Sequence, residues 1–265
     1  MPDSPPVVGN LNLDDPSEPF TRRSWRYRTR MAMRTARERL GDDPALLPIV
    51  LRATPLGVSR QLTDRTNLVI EGFPRSGNTF AYFAVRHAAA EEPRVLMVSS
   101  HVHTPSAVKA ATARRIPTVV VIRNPLDAVT SLLIAAPHVP FDRAILEWSH
   151  HHREIWPYRD RFLTATFEHV TADMGSVTDR LGSVFGINLP RYQPTAANDD
   201  AVFAAIEHNH QVLHGGTENV VPRPSSARGA ERRWLEQQLA EPHLAHLLQD
   251  ADQIFAEYVG HSLTR

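Results

Sequence analysis

Leu68-Val69-Ile70-Glu71-Gly72-Phe73-Pro74-Arg75-Ser76-Gly77-Asn78-Thr79 reads as a buried apolar strand, a Gly/Pro turn and the start of a helix. That order aims the free N–H groups of a helix N-terminus, with the helix dipole behind them, at one point above the strand. An anion is the occupant such a point favours. Gly72, Gly77, Asn78 and Thr79 match the phosphate-loop pattern G-x-x-x-x-G-K-[ST], except that asparagine stands in place of the lysine. The loop carries its cation internally, at Arg75. Triphosphate enzymes use the lysine on the β/γ-phosphates and the following Ser/Thr on magnesium, so its absence argues against triphosphate chemistry and leaves the anion cradle intact. Taken alone, the same glycines also suit an ordinary strand-helix turn.

Working outward, strand and helix signals alternate. A helix continues from the turn to Ala90, Arg94 to Ser99 reads as a strand covered on both faces, and Ser106 to Arg115 reads as a helix. Pro117 to Ile122 is the strongest strand signal, and a helix opens at Pro125. Phe141 to Arg159 follows as a helix carrying His150, His151 and His152, read as solvated or partly packed. Leu163 to Glu168 reads as a fourth strand. Helices are expected over Thr171 to Phe185, Asp199 to Leu213, Ala230 to Leu239 and Pro242 to Val259, with a Gly-, Pro- and Ser-rich loop from His214 to Gly229. This alternation predicts an α/β fold with a central, mostly parallel sheet and helices on both faces.

Residues 1–20 are rich in proline and short polar residues and read as a mobile arm. Thr21 to Leu40 reads as a basic helix stopped by Gly41, with Arg22, Arg23, Arg26, Arg28, Arg30, Arg34, Arg37 and Arg39 against the single acid Glu38. Trp25, Met31, Met33 and Leu40 make no clean apolar face, so packing on the body or on a second subunit is favoured over contact with a membrane surface. The domain division is therefore 1–62, arm and basic helix, and 63–265, the α/β body. The chain has 265 residues, no cysteine and zero net charge. These numbers allow a full core, exclude thiolate chemistry and give no support to nucleic acid as a partner. With no spanning segment and no secretory layout, the expected compartment is the cytoplasm.

Pro74-Arg75-Ser76-Gly77-Asn78-Thr79-Phe80 resembles the 5′-phosphosulfate loop, P-K-S-G-T-T-W, of sulfotransferases that use 3′-phosphoadenosine 5′-phosphosulfate (PAPS). Arg123-Asn124-Pro125-Leu126-Asp127 with Ser131 resembles that family's 3′-phosphate site, R-N-P-x-D followed by a serine. The resemblance runs from about Asn67 to Gly186 and implies a P-loop-type sulfotransferase architecture. It also implies PAPS as donor, PAP as product and a small-molecule, lipid or glycan acceptor. Ser76, Gly77, Asn78 and Thr79 would hold the 5′ end, Arg75 would neutralise the leaving oxygen, and Arg123 and Ser131 would read the 3′-phosphate. Phe80 and Phe167 stand where aromatics near the adenine are expected, and Arg228-Gly229 matches part of a late R-K-G segment. Aligning the proline of a K-[ST]-H-L-P-like segment with His101-Val102-His103-Thr104-Pro105 makes His103 the general base, with His101 second. If the strand persists, both histidines project to one side. Asp127, inside a helix start, reads as structural before metal-binding. Two other readings stand beside this one: a nucleotide or small-molecule kinase with a degenerate phosphate loop, and a non-catalytic nucleotide-binding module. A homo-oligomer is compatible with all three.

Overall fold

Val119, Val120, Val121 and Ile122 are wholly buried, alternate ones facing opposite sides of the sheet, and everything else is layered on them. The computed structural model describes residues 25–52, 60–90, 96–214 and 228–263. The arm 1–20, Arg223 and most of the loop expected from His214 to Gly229 lie outside the described residues.

The chain runs through α1 (Trp25–Gly41), α2 (Leu47–Arg52), β1 (Leu68–Glu71), α3 (Asn78–Ala88), β2 (Val98–Ser100), α4 (Pro105–Ala113) and β3 (Thr118–Ile122). It continues through α5 (Pro125–Ala135), α6 (Phe141–Ile155), a 3₁₀ turn (Trp156–Arg161), β4 (Leu163–Thr166) and α7 (Phe167–Ala172). The last elements are α8 (Met174–Phe185), α9 (Ala196–His214), α10 (Gly229–Leu239) and α11 (Pro242–Leu263). The four strands are parallel in the order β2-β1-β3-β4, with Ile70 registered on Val119 and Val121 on Ala165. One face packs Val120 and Ile122 on α5, α6, α10 and α11 through Val129, Leu133, Trp148, Leu239 and Tyr258. The other packs Leu68, Ile70, Val119 and Val121 on α3, α8 and α9 through Ala84, Val177, Leu181 and Ile206. Each buried Val or Ile side chain contributes about 1.5–3 kcal/mol, so β3, covered on both faces, anchors the fold.

Several expected boundaries move, each for a local reason. Among the described residues the second strand covers Val98–Ser100, at the edge of the sheet, and the expected start at Arg94 and Val95 lies outside them. The Asn67 side chain accepts from Met97 N at 2.9 Å, and Met97 is 45% exposed rather than covered on both faces. The fourth strand stops at Thr166, whose hydroxyl accepts from His169 N and so opens α7 with Phe167 as its first residue. Asp173 caps Ser176 N at 3.1 Å and splits one expected helix into α7 and α8. Pro157 ends α6 at Ile155 and turns the remainder into a 3₁₀ segment. Of the three α6 histidines only His150 is surface-lying, 2.9 Å from Asp42, whereas His151 and His152 are buried in the core.

The basic helix α1 lies on the body. Arg34 forks onto Glu147, and Arg143 bridges Glu147 at 2.9 Å and Glu38 at 2.7 Å. Leu47 and Leu51 of α2 bury against Val102 and Ala107. Among the described residues no helix is long and apolar enough to cross a membrane.

Candidate functional site

In the order β2-β1-β3-β4 the chain leaves β1 toward one edge and returns to the other side of β1 at β3. The crevice outside the carboxyl ends of β1 and β3 is therefore the topological switch point, where open α/β sheets bind ligands. The loop after β1 and the Arg123 turn after β3 meet there.

The β1 loop is built by its glycines. A Cβ on Gly72 would collide with the Val121 carbonyl, so only glycine lets the loop cross β3 this closely. Gly77 has φ 96° and precedes α3, and a Cβ there would lie 2.9 Å from Phe167 Cδ2. Four non-glycine residues among those described have positive φ. Three of them, Arg75 (71°), His101 (65°) and His103 (56°), belong to this site. Left-handed backbone costs each about 1–2 kcal/mol, and such strain persists where the surroundings fix a functional geometry.

Arg75 donates from Nε to Ser131 Oγ at 3.0 Å, and Arg123 donates from Nη1 to the Arg75 carbonyl at 3.0 Å. The structure thus brings Arg75, Arg123 and Ser131 together, but Ser131 pairs with the loop arginine. Burial, then repulsion from Arg228 and Arg123, pushes Arg75 down to about 10. Arg228 is therefore close enough to act on the loop. Burial also pushes Arg123 down, and its guanidinium lies 4.1 Å over the Phe167 ring. Buried atoms without a hydrogen-bond partner among the described residues include Arg123 Nε and Ser76 Oγ. Converging cations, two orphaned polar atoms and a glycine cradle fit a multiply charged anion. Asp127, the acid of this strand end, is taken up by Arg232, which also holds Glu236 at 2.7 Å.

Phe80 is 6% exposed and packs its ring on Phe203 and Tyr192, so it is a core residue. The aromatic at the loop is Phe167. Asn78 is 3% exposed and donates from Nδ2 to the Gly72 and Phe73 carbonyls, each at 3.3 Å.

The two histidines stand beside the loop, although β2 has ended before them. His103 Nδ1 lies 2.9 Å from the Gly72 carbonyl, which only accepts, so Nδ1 carries a proton, and in the neutral ring the lone pair is on Nε2. His101 Nε2 lies 3.0 Å from Thr79 Oγ1, and the two imidazoles meet edge-on with centroids 5.6 Å apart. Burial, then the Arg60 charge, pushes His101 down to about 4. Two members of the site escaped sequence reasoning. Glu71, 0% exposed, accepts from Val102 N at 2.8 Å and His103 N at 3.0 Å, and burial pushes its carboxyl up to about 7 against those bonds. The signal was a lone acid closing an apolar strand just before the glycine turn. The other, His151, packs edge-on against Phe73 of the loop with centroids 6.1 Å apart, and burial, followed by neighbouring histidines that include His103, holds it neutral.

Fold and site together define an α/β protein with an arginine-bearing glycine loop and a histidine pair at its switch point. No protein-family profile and no curated protein matches the chain. Among solved structures, mouse sulfotransferase SULT7A1 complexed with PAP aligns at 14% identity and a TM-score of 0.48, over 77% of this chain and 88% of that one.

Proposed function

We propose that this protein is a sulfotransferase that moves a sulfuryl group from PAPS to a hydroxyl or amine of a small-molecule, lipid or glycan acceptor. The observation that carries the reading is the convergence of Arg75, Arg123 and Ser131 from two strand ends, while Asp127 is held by Arg232. A donor with charge at both its 5′ and 3′ ends suits cations spread across a crevice. Ser76, Gly77, Asn78 and Thr79 would cradle the 5′ end, Arg123 and Ser131, with Arg228, the 3′-phosphate, with Phe167 alongside.

Within this reading His103 Nε2 takes the acceptor proton as the acceptor oxygen or nitrogen bonds to sulfur, and the Gly72 carbonyl keeps the ring oriented. The bond from sulfur to the 5′-phosphate oxygen breaks, and Arg75 neutralises the charge left on that oxygen.

Thermal stabilisation by adenosine 3′,5′-bisphosphate, AMP and ATP, with and without magnesium, tests the reading. The bisphosphate is expected to stabilise most, with no magnesium requirement, and Arg123→Ala to erase its advantage over AMP. Preference for ATP with magnesium would replace the reading by a kinase. Once an acceptor is found in a screen of phenols, sugars, steroids, lipids and peptides, His103→Ala should slow transfer about 10²–10⁴-fold. Undiminished transfer would remove His103 as the base.

A further inference from the structure

His101 has no task in the transfer step, yet it is held as firmly as any residue of the site. Its carbonyl accepts from Arg60 Nη1 at 2.8 Å, and the Arg60 carbonyl accepts from Ser99 Oγ at 2.9 Å. Its ring is edge-on to Tyr82 on one side, centroids 5.9 Å apart, and to His103 on the other. Nε2 points at Thr79 Oγ1, 3.0 Å away, on the second residue of α3.

A hydroxyl carries one proton. If Thr79 donates it to a bare His101 Nε2, the threonine presents only lone pairs to the crevice and repels an anion. If Nε2 carries the imidazole proton, His101 donates to Oγ1, and the threonine proton is released toward the loop. An anion accepts only, so it selects the second arrangement. We propose that His101 is a positioning residue for the anion loop, donating from Nε2–H to Thr79 so that the Thr79 hydroxyl is aimed at the 5′ end of the bound donor. Burial and the Arg60 charge keep this imidazole neutral near physiological pH, so it acts through hydrogen-bond direction and adds no charge. His103 and His101 thereby divide the work: one nitrogen faces the acceptor, the other faces the loop.

The inference rests on the donor-binding reading above, and one calorimetric series separates their failures. Adenosine 3′,5′-bisphosphate is titrated into wild type, His101→Asn, His101→Gln, Thr79→Val and the double variant His101→Asn/Thr79→Val, each first shown to be folded by its ligand-free melting. Asparagine tolerates the left-handed backbone of position 101 but is too short to reach Thr79, whereas the glutamine amide nitrogen reaches about as far as Nε2. His101→Asn and Thr79→Val should each weaken binding about tenfold, with the double variant little weaker than either single one. His101→Gln should return to within about threefold of wild type. Additive losses, a glutamine variant no better than asparagine, or an unchanged Kd in His101→Asn would overturn the role while leaving the donor-binding reading standing. Failure of wild type to bind the bisphosphate would remove both.

Discussion

Glu71 offers the sharpest quantitative test, because a buried carboxyl held at about 7 must leave its mark on the pH dependence of stability. Its ordinary value is 4.5, and the gap corresponds to about 3 kcal/mol. The folded value is raised, so the stabilising contribution is complete below pH 4.5, where both states are protonated. Between 4.5 and 7 the unfolded chain has lost the proton that the fold retains, and stability falls as pH rises. From pH 5 to 8 the linkage comes to about 2.5 kcal/mol. Glu71→Gln keeps the shape and removes the titration. Glutamine presents one acceptor oxygen where Val102 N and His103 N now share two, a loss of about 1–3 kcal/mol that does not change with pH. His101 and His152, each pushed down to about 4 first by burial, give slopes of the opposite sign, but both proteins contain them. Urea unfolding followed by circular dichroism at pH 5, 6, 7 and 8 should therefore show the variant gaining about 2.5 kcal/mol on wild type across the range. Parallel curves would refute the buried-charge assignment.

Gly77→Ala combines left-handed backbone with a methyl 2.9 Å from Phe167, and should lower stability by about 2–5 kcal/mol in urea titration. Adding Phe167→Leu should recover the steric part but not the backbone part. Glu147→Ala leaves Arg34 and Arg143 facing each other without their shared carboxylate. It should loosen α1 by about 1–3 kcal/mol, read as faster tryptic cleavage in residues 25–41 while the melting of the body changes little.

Sequence reasoning reached the sheet and the glycine turn between β1 and α3 because their signals are local: β-branched runs, glycines at fixed offsets, a proline opening a helix. It failed where distant chain decides. Nothing near His151 and His152 announces burial, since Phe73 comes from the β1 loop and Tyr258, whose hydroxyl donates to the His152 carbonyl, from the last helix. Phe80 and Phe167 are equally aromatic in the sequence, yet Tyr192 and Phe203 enclose the first while the end of β4 delivers the second beside Gly77 and Arg123. The histidine segment, expected just after the second strand, would have sent both rings to one side had that strand persisted. Left-handed backbone at His101 and His103 turns it out of the sheet, and what imposes that turn is the carboxylate of Glu71 on the neighbouring strand.

The missing phosphate-loop lysine has a structural explanation at Asn78. The Gly72 carbonyl accepts from both Asn78 Nδ2 and His103 Nδ1, so one peptide oxygen fastens the start of α3 and the His103 ring. Glu71, the preceding residue, holds the backbone of that histidine. Asparagine is short enough to turn its amide inward at 3% exposure. Lysine at this position would lose the two carbonyl contacts and either bury an ammonium or thread out of the loop, displacing its neighbours. Restoring the phosphate-loop pattern by Asn78→Lys should therefore lower stability by about 2 kcal/mol or more without conferring stabilisation by ATP and magnesium. It should also weaken binding of adenosine 3′,5′-bisphosphate. If Asn78→Lys acquired magnesium-dependent ATP stabilisation at wild-type stability, the asparagine would be a replaceable remnant of a triphosphate site. The tie between loop and histidine through Gly72 would then explain nothing about the ligand.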